Sequence, residues 1–261
     1  MRIRLFMNLR DKVVIVTGAA HGIGRGLCER FAMERPQAII AADIDETAVR
    51  QVAGLVGGEA IPCDVRSEPQ IIDLVRSAED RFGRIDLFCA NAGIAMPGGL
   101  ELANERWREV IEVNLMSHVY AVRAVLPGML RRGEGYLLHT ASAAGLLTEI
   151  SSASYSVTKH AVVALAEWLA ISFGEAGIQV SCLCPQGVRT RMIEGDDPRA
   201  RMLQKDSISV EDVAESVVAG IAEQHFLILP HLQVAEYFQH KADDYDRWLR
   251  GMQRLRKQML K

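Results

Sequence analysis

Short apolar runs alternate with longer segments of helical periodicity along the first two thirds of the chain. The first run is Val13-Val14-Ile15-Val16, and apolar positions at helical spacing follow it over residues 22–33. Further apolar runs occupy residues 38–42, 60–63, 87–90, 136–140 and 179–184. Short uninterrupted runs separated by helices are typical of strands that are buried on both faces. The pattern therefore predicts an α/β fold with a Rossmann-type, doubly wound parallel sheet.

Between these runs, apolar positions at helical spacing predict helices over residues 46–55, 68–82, 104–132 and 154–174. A seventh run, 226–229, follows a helical segment over 210–224 and extends the predicted sheet to about seven strands. Because no Pro/Gly/Ser-rich linker interrupts the pattern, residues 1–232 are predicted to form a single domain. Residues 189–207 are polar and weakly periodic, which indicates an irregular or mobile segment and a candidate lid.

Residues 233–261 are predicted to form a C-terminal helical extension. Its apolar side chains recur at approximately helical spacing, at Val234, Tyr237, Phe238, Tyr245, Trp248, Leu249, Met252 and Leu255. Such a stripe favours packing on the parent domain or on a partner subunit. Because residues 247–261 include six basic and no acidic side chains, contact with an anionic membrane surface remains an alternative.

The composition limits the classes of function. The 261 residues carry a formal net charge of −3, whereas nucleic-acid-binding proteins usually present a basic surface, so the expected partner is a small molecule and not a nucleic acid. The chain has no apolar run of about eighteen residues and no secretory cleavage pattern, and we expect a cytoplasmic protein. The five cysteines lack metal-site spacing, which predicts buried reduced thiols and no metal.

A glycine-rich loop joins the first predicted strand to the first helix. It contains Gly18, His21, Gly22, Ile23 and Gly24. Glycine lets the backbone approach a pyrophosphate closely, and a helix N-terminus offers free N–H groups and a positive dipole end. A plain tight turn would also use glycine. The position directly between a strand and a helix nevertheless favours a dinucleotide-binding loop.

Asp43 lies at the end of the second run, nineteen residues after Gly24. A carboxylate there would accept hydrogen bonds from the adenosine ribose and repel a 2′-phosphate. No Arg or Lys lies between Gly18 and Gly24 to bind such a phosphate, so the sequence predicts NAD in preference to NADP. A helix cap is the alternative role for Asp43, although Asp45 is better placed to cap the helix that follows.

A phenol and an ammonium share one face of the helix predicted over 154–174. Tyr155 and Lys159 are separated by four positions, which places them one helical turn apart. A nearby cation lowers the pKa of a tyrosine from its usual value of about 10. Tyr155 would then exchange a proton with a substrate near neutral pH. The pair alone is a weak signal, because this spacing often arises by chance.

The combination of motifs is far more specific than any one of them. The glycine loop, Asn91-Ala92-Gly93, Asn114, Ser142 and the Tyr155–Lys159 pair occur in this order. Together they resemble the short-chain dehydrogenase/reductase family over about residues 10–230. The resemblance implies an oxidoreductase that transfers a hydride between NAD(H) and an alcohol or ketone. It also implies a homodimer or homotetramer.

The resemblance implies a role for each matching residue of the reaction centre. Ser142, thirteen positions before Tyr155, would orient the substrate oxygen. Tyr155 would act as general acid and base, and Lys159 would lower its pKa and hold the nicotinamide ribose. Asn114 would hold a water that links Lys159 to solvent.

The resemblance also implies cofactor contacts beyond the glycine loop and Asp43. They are Asp64, Val65, Asn91, Ala92, Gly93, Tyr155, Lys159, Pro185, Val188 and Thr190. The chain departs from the family pattern at Gln186, where glycine is usual. It also has His139 and Ala141 where Asn and Ser are usual. We interpret His139 as a structural histidine with a hydrogen-bond partner.

The residues expected on the substrate side are mostly apolar. They are Ala95, Met96, Leu146, Leu147, Ile150, Met192 and Ile193, with Glu149 as an exception. Apolar lining predicts a hydrophobic secondary alcohol or ketone as substrate, and ordinary core packing is the alternative for these side chains. A non-catalytic dinucleotide sensor or scaffold on the same fold is the alternative function. The presence of all four reaction-centre residues favours the enzyme.

Overall fold

Seven parallel strands form one sheet in the computed structural model, which describes residues 8–196 and 198–259, residues 198 and 199 by their backbone alone. The strands are β1 (Val13–Thr17), β2 (Ala38–Asp43), β3 (Glu59–Pro62), β4 (Leu87–Ala90), β5 (Gly135–Thr140), β6 (Ile178–Leu183) and β7 (Leu227–Ile228). Their spatial order is β3-β2-β1-β4-β5-β6-β7, and each neighbouring pair is parallel. The predicted fold class is confirmed.

Helices cover both faces of the sheet. They are α1 (Gly22–Ala32), α2 (Glu46–Val56), α3 (Glu68–Phe82), α4 (Asn104–Ile111), α5 (Ser117–Arg132), α6 (Ala144–Leu147), α7 (Ala153–Phe173), α8 (Pro198–Lys205), α9 (Val210–Ala222), α10 (Gln233–Asp243) and α11 (Tyr245–Met259). Val13 and Ile15 of β1 pack in one apolar cluster with α3, α5 and α7. Val14 and Val16 pack in a second cluster with α1, α2 and α9. Both faces of each central strand are therefore buried, which explains the continuous apolar runs.

The strand order places a crevice at one edge of the sheet. The chain moves outward from β1 through β2 to β3, then returns to place β4 on the other side of β1. The loops after β1 and β4 consequently diverge at the carboxyl ends of the strands. Ligands of open α/β sheets bind at such switch points.

Side-chain caps fix the beginnings of several helices. Asp45 accepts a hydrogen bond from the Ala48 N–H and caps α2. Ser67 caps α3, and Ser152 caps α7 by accepting from the Tyr155 N–H. Because a cap satisfies an N–H group that the helix leaves unpaired, these positions are strong start signals. The cap of α7 also fixes the phase in which that helix presents its side chains.

Two segments differ from the sequence-based prediction. The helix predicted over 104–132 is interrupted by a π-helix, Glu112–Met116, which separates α4 from α5. The candidate lid contains a 3-10 turn, Arg191–Ile193, and the helix α8, although we expected it to be irregular. Pro198 is the first residue of α8, a position that its fixed φ favours.

The C-terminal extension forms two helices, α10 and α11. Val234 of α10 is buried in the apolar cluster that contains α3, α5 and α7, and Trp248 of α11 packs against the same cluster. No helix within the described ranges 8–196 and 198–259 is both long and apolar enough to cross a membrane.

Candidate active site

A cleft of about 760 Å³ opens at the carboxyl ends of the strands. Segments from six parts of the chain line it: the loop after β1, the ends of β2 and β3, the loop after β4, α4 with the π-helix, the end of β5 with α7, and the chain that follows β6. The predicted dinucleotide loop and the predicted reaction-centre residues Ser142, Tyr155 and Lys159 lie in this one cleft. The fold therefore gathers residues that are far apart in sequence.

The glycine loop has the geometry of an anion cradle. Gly18 and Gly22 adopt φ values of +65° and +51°, in the left-handed region that glycine tolerates. A Cβ on Gly24 would lie 2.1 Å from the Gly18 carbonyl oxygen, so the loop closes only with glycine there. The N-cap of α1, His21, makes no side-chain cap, which leaves the first N–H groups of the helix for a ligand. The loop fits a dinucleotide pyrophosphate.

Asp43 lines the cleft beside this loop. Its carboxylate accepts hydrogen bonds from the Ala20 N–H at 2.9 Å and the Asp45 N–H at 3.0 Å. Asp45 provides the cap of α2, so Asp43 is not the helix cap. The two backbone donors hold the Asp43 carboxylate at the edge of the cleft, where a ribose would lie.

The predicted adenine contacts, Asp64 and Val65, line the cleft together with Cys63 and Arg66. The Arg66 guanidinium donates to both oxygens of Asp64, and this hydrogen bonding lowers the pKa of the carboxyl. Arg66 was not among the predicted contacts. Because Asp64 pairs with Arg66, the described residues 63–66 present no unpaired cation to the cleft.

Asn91 holds the central strands together beneath the cleft. Its amide donates to the Thr17 carbonyl at 3.0 Å, and its oxygen accepts from the Thr140 hydroxyl at 3.1 Å. The ends of β1 and β5 are thereby tied to the loop after β4. A Cβ on Gly93 would lie 3.4 Å from the Lys159 Nζ, so a small residue keeps this floor close to the ammonium.

Tyr155 and Lys159 project from the first turns of α7, with the Lys159 Nζ 5.6 Å from the centroid of the Tyr155 ring. Nζ donates to the Thr140 carbonyl at 2.8 Å, and the side chain is buried. Burial lowers the pKa of Lys159 to about 8 because the ammonium is desolvated. Below that pH the ammonium is the main form, and it stands beside the phenol as the sequence predicts.

Ser142 lies at the end of β5, where its hydroxyl lines the cleft. The oxygen accepts from the Ala144 N–H at 3.1 Å, and the hydroxyl is 3.4 Å from the Pro185 carbonyl. The hydroxyl is thus held between α6 and the loop after β6. Ser142 and Tyr155 both line the cleft.

The π-helix brings Asn114 into the interior. Its Oδ1 accepts from the Ile94 N–H at 2.8 Å, and its Nδ2 donates to the Ile94 carbonyl at 2.9 Å and to the Thr158 hydroxyl at 3.3 Å. π-Helical turns frequently occur at functional sites. Here the amide fixes the loop after β4 and the first turns of α7. Whether Asn114 also helps to hold a water stays a prediction.

The loop after β6 and the first residues of the candidate lid line the cleft beside the glycine loop. The predicted cofactor contacts Pro185, Val188 and Thr190 line it, together with Gln186. Arg191 also lines the cleft, and its Nη1 lies 3.2 Å from the Nε2 of His21 in the glycine loop. The sequence analysis missed Arg191, although a basic residue directly after Thr190 was a usable signal.

The expected substrate-side residues fall into two groups. Ala95, Met192 and Ile193 line the cleft. Leu146 and Leu147 are placed in the buried core instead, because α6 packs them in the same apolar cluster as Val234 of α10. Met96, Glu149 and Ile150 lie outside this lining as well. The Met96 carbonyl accepts from the Ser152 hydroxyl, and Glu149 accepts from the Ser151 N–H and hydroxyl. The apolar positions that sequence reasoning missed are Ile94 and Val113.

Two buried histidines lie on the sheet face that carries α5 and α7. The rings of His118 and His139 stack with centroids 5.2 Å apart, and their Nδ1 atoms are 2.9 Å apart. Burial lowers the pKa of His139 to about 4 and the pKa of His118 well below its usual value. Both rings are therefore neutral at pH 7, and one proton is shared between the Nδ1 atoms. The Nδ1 of His139 thus has the hydrogen-bond partner expected of a structural histidine, whereas its buried Nε2 has none among the described residues.

The model of the short chain dehydrogenase family matches residues 12–200. The chain belongs to the short-chain dehydrogenase/reductase family. This dehydrogenase/reductase is accordingly an oxidoreductase that acts on hydroxyl groups of small molecules and uses a nicotinamide dinucleotide.

Known relatives resemble the dehydrogenase/reductase over nearly its whole length. The 1-deoxy-11-beta-hydroxypentalenate dehydrogenase of Streptomyces exfoliatus is 35% identical over 248 residues, which cover 91% of this chain and 90% of that protein. The D-beta-hydroxybutyrate dehydrogenase of Rhizobium meliloti is 28% identical and covers 89% of this chain and 92% of its own length.

A solved structure shares the fold closely. The short-chain dehydrogenase/reductase of Burkholderia phymatum, crystallised in complex with NAD, has a TM-score of 0.84 and 31% identity. The match covers 92% of this chain and 96% of the other. The family and fold expected from the sequence are therefore confirmed.

Proposed function

We propose that this dehydrogenase/reductase transfers a hydride between NAD(H) and a hydrophobic secondary alcohol or ketone, with Tyr155 as general acid and base. The observation that carries the proposal is the placement of Tyr155, Lys159 and Ser142 in the same cleft as the glycine loop and Asp43. A protein that only sensed or bound a dinucleotide would not need groups for proton transfer.

The residues of the cleft account for the proton transfer. In the direction of oxidation, Tyr155 as phenolate accepts the hydroxyl proton of the substrate. The Lys159 ammonium, 5.6 Å from the Tyr155 ring centroid, favours that phenolate electrostatically. The Ser142 hydroxyl donates to the substrate oxygen and fixes its direction. When bound, the oxidised nicotinamide supplies the acceptor for the hydride that leaves the carbinol carbon.

The charges at the ribose end support the proposed preference for NAD. The Asp43 carboxylate is fixed by two backbone N–H groups at the edge of the cleft, where it would accept from ribose hydroxyls and repel a 2′-phosphate. The related Burkholderia phymatum structure contains NAD, which supports the same assignment.

The substrate class follows from the lining near Tyr155. Ile94, Ala95, Val113, Met192 and Ile193 present apolar surface, while Ser142 and Tyr155 supply the polar groups. Such a combination binds its ligand mainly by apolar area and orients it by a few hydrogen bonds. The names of the two relatives give 1-deoxy-11-beta-hydroxypentalenate and D-beta-hydroxybutyrate as substrates, so the assay panel includes both compounds.

We also propose a cytoplasmic homodimer or homotetramer. Val157, Trp168 and Ile171 lie along α7 and are 55%, 58% and 82% exposed. Three large apolar side chains exposed on one helix favour burial against a second copy. Light scattering with Trp168→Glu tests this proposal, because a charge there would shift the wild-type oligomer toward the monomer; an unchanged mass would count against it.

The activity test uses purified wild type and Tyr155→Phe with a panel of alcohols and ketones, each assayed with NAD(H) and NADP(H). We expect turnover of hydrophobic secondary alcohols with NAD and at least about a hundredfold loss in the variant. Calorimetric titration of NAD into Tyr155→Phe should show retained binding. Binding without turnover in the wild type would instead indicate the dinucleotide sensor or scaffold, and equal turnover in both proteins would refute the role of Tyr155.

A further inference from the structure

The C-terminal extension reaches back to the reaction centre through a buried lysine. Lys241 of α10 is 7% exposed, and its Nζ donates to the Leu146 carbonyl at 2.6 Å. The same Nζ lies 5.3 Å from the centroid of the Tyr245 ring, the first residue of α11. A buried ammonium requires such partners because desolvation penalises the charge. Lys241 is therefore fixed in place and does not belong to a solvated helix face.

The carbonyl that Lys241 contacts belongs to the helix that directly follows Ser142. Helix α6 has only four residues, and Leu146 is near its carboxyl end. Carbonyls at this end lack intrahelical partners and attract cations. At the other end of α6, the Ala144 N–H donates to the Ser142 Oγ at 3.1 Å. A displacement of α6 would consequently move the donor that holds the Ser142 hydroxyl.

A second set of contacts ties the first residue of the extension, and the residues just before it, to the loop after β6. His231 is buried, with its Nδ1 accepting from the Gln186 N–H at 3.2 Å and its Nε2 2.9 Å from the Gly187 carbonyl. Gln233 Nε2 donates to Gln186 Oε1 at 3.2 Å. The residue that departs from the family pattern, Gln186, thus has its partner in the extension. Both segments that flank the Ser142 hydroxyl are connected to it.

We propose that Lys241 is a positioning residue for the reaction, acting through α6 on the Ser142 hydroxyl. This inference rests on the proposed function, because it assigns to Ser142 the orientation of the substrate oxygen. The extension then has a role inside its own subunit. Its ammonium fixes the carboxyl end of α6, and its first residues fix the neighbouring loop.

A double-mutant cycle tests whether Lys241 acts through Ser142. Lys241→Met removes the donor but keeps the apolar stem, Lys241→Arg retains a donor, and Lys257→Met is the matched control on an exposed position of the same extension. We expect Lys241→Met to lower kcat roughly tenfold and to change the Kd for NAD less than about twofold. Lys241→Arg should restore most of the rate, and Lys257→Met should match the wild type.

The decisive comparison is made in the Ser142→Ala background. There, Lys241→Met should produce almost no further loss of kcat, because the hydroxyl that it positions is absent. An equal loss in both backgrounds would overturn the proposal and indicate a general structural role. A kcat for Lys241→Met equal to that of the wild type would overturn it as well.

Amide hydrogen exchange gives a readout that does not require turnover. In the protein without ligands, Lys241→Met should accelerate exchange at the amides of Ala144 and Gly145, which bond to Ser142, and Lys257→Met should not. If the wild type turned over no alcohol but Lys241→Met still accelerated exchange at these amides, the positioning of α6 by Lys241 would be correct and the proposed function wrong. Unchanged exchange at these amides would refute the positioning role of Lys241 even in an active enzyme.

Discussion

Replacement of His139 by asparagine should make the protein less sensitive to acid. The imidazole is 1% exposed, and burial lowers its pKa from 6.5 to about 4. Between these values the unfolded chain binds a proton that the folded protein excludes. The stability contribution of the neutral ring is thus fully present above about pH 6.5 and is lost as the pH falls toward 4.

The size of the effect follows from the two pKa values. At about pH 4.5, one histidine with a folded pKa of about 4 reduces the free energy of unfolding by about 2 to 3 kcal/mol relative to neutral pH. This is a large part of the 5–15 kcal/mol that is typical of a folded domain, roughly a quarter of it. Asparagine suits the position because its amide group can donate to the Nδ1 of His118, which now lies 2.9 Å from the Nδ1 of His139.

Urea unfolding at neutral pH and at about pH 4.5 measures how far acid lowers the free energy of unfolding of each protein. The decrease in unfolding free energy should be about 2 kcal/mol smaller for His139→Asn than for the wild type. His240→Asn, on the exposed side of α10, controls for the loss of one imidazole and should follow the wild type. If His139→Asn and the wild type lost equal stability on acidification, the buried neutral pair would not be the source of the acid sensitivity.

Three further predictions concern the cleft. Lys159→Met should abolish turnover. It should also raise the free energy of unfolding at pH 7 by at most about 3 kcal/mol, because burial lowers the Lys159 pKa from 10.5 to about 8 and the variant no longer buries that charge. A lower urea midpoint than that of the wild type would contradict this. Asp43→Asn should reduce the NAD-to-NADP ratio of kcat/KM at least about tenfold by removing the charge, and an unchanged ratio would count against Asp43 as the selector. Gly24→Ala should weaken NAD binding by at least about tenfold in calorimetry, because its Cβ would lie 2.1 Å from the Gly18 carbonyl oxygen; wild-type affinity would show that the loop can relax.

The regular elements were predictable because local signals determine them. Helix α3 occupies residues 68–82 as predicted, because Ser67 caps its first turn and its apolar positions repeat at helical spacing. The central strands are buried on both faces, and their continuous apolar runs reveal this directly. The family motifs then located the glycine loop, Ser142, Tyr155 and Lys159 in one cleft.

Features that depend on contacts distant in sequence were not predictable. The π-helix at Asn114 accommodates the pairing of its amide with Ile94, a loop residue twenty positions earlier. Periodicity cannot reveal such a pairing. The placement of Leu146 in the core requires α10 to pack on α6, and the Lys241 contact with its carbonyl spans 95 residues. An apolar residue after Ser142 has the same appearance in sequence whether it lines a cleft or the core.

The two buried lysines, Lys159 in the cleft and Lys241 behind α6, share a property with consequences for sequence variation. Both donate to main-chain carbonyl oxygens, Lys159 to Thr140 and Lys241 to Leu146. Every residue type supplies a carbonyl, so exchanging the side chain at position 140 or 146 leaves each acceptor intact. A substitution at position 140 would remove the hydroxyl that bonds to Asn91, and one at position 146 would alter core packing, but neither would remove the main-chain acceptor of an ammonium group. The orientation of each ammonium group therefore depends on the course of the backbone and not on the side chain of the residue that it contacts.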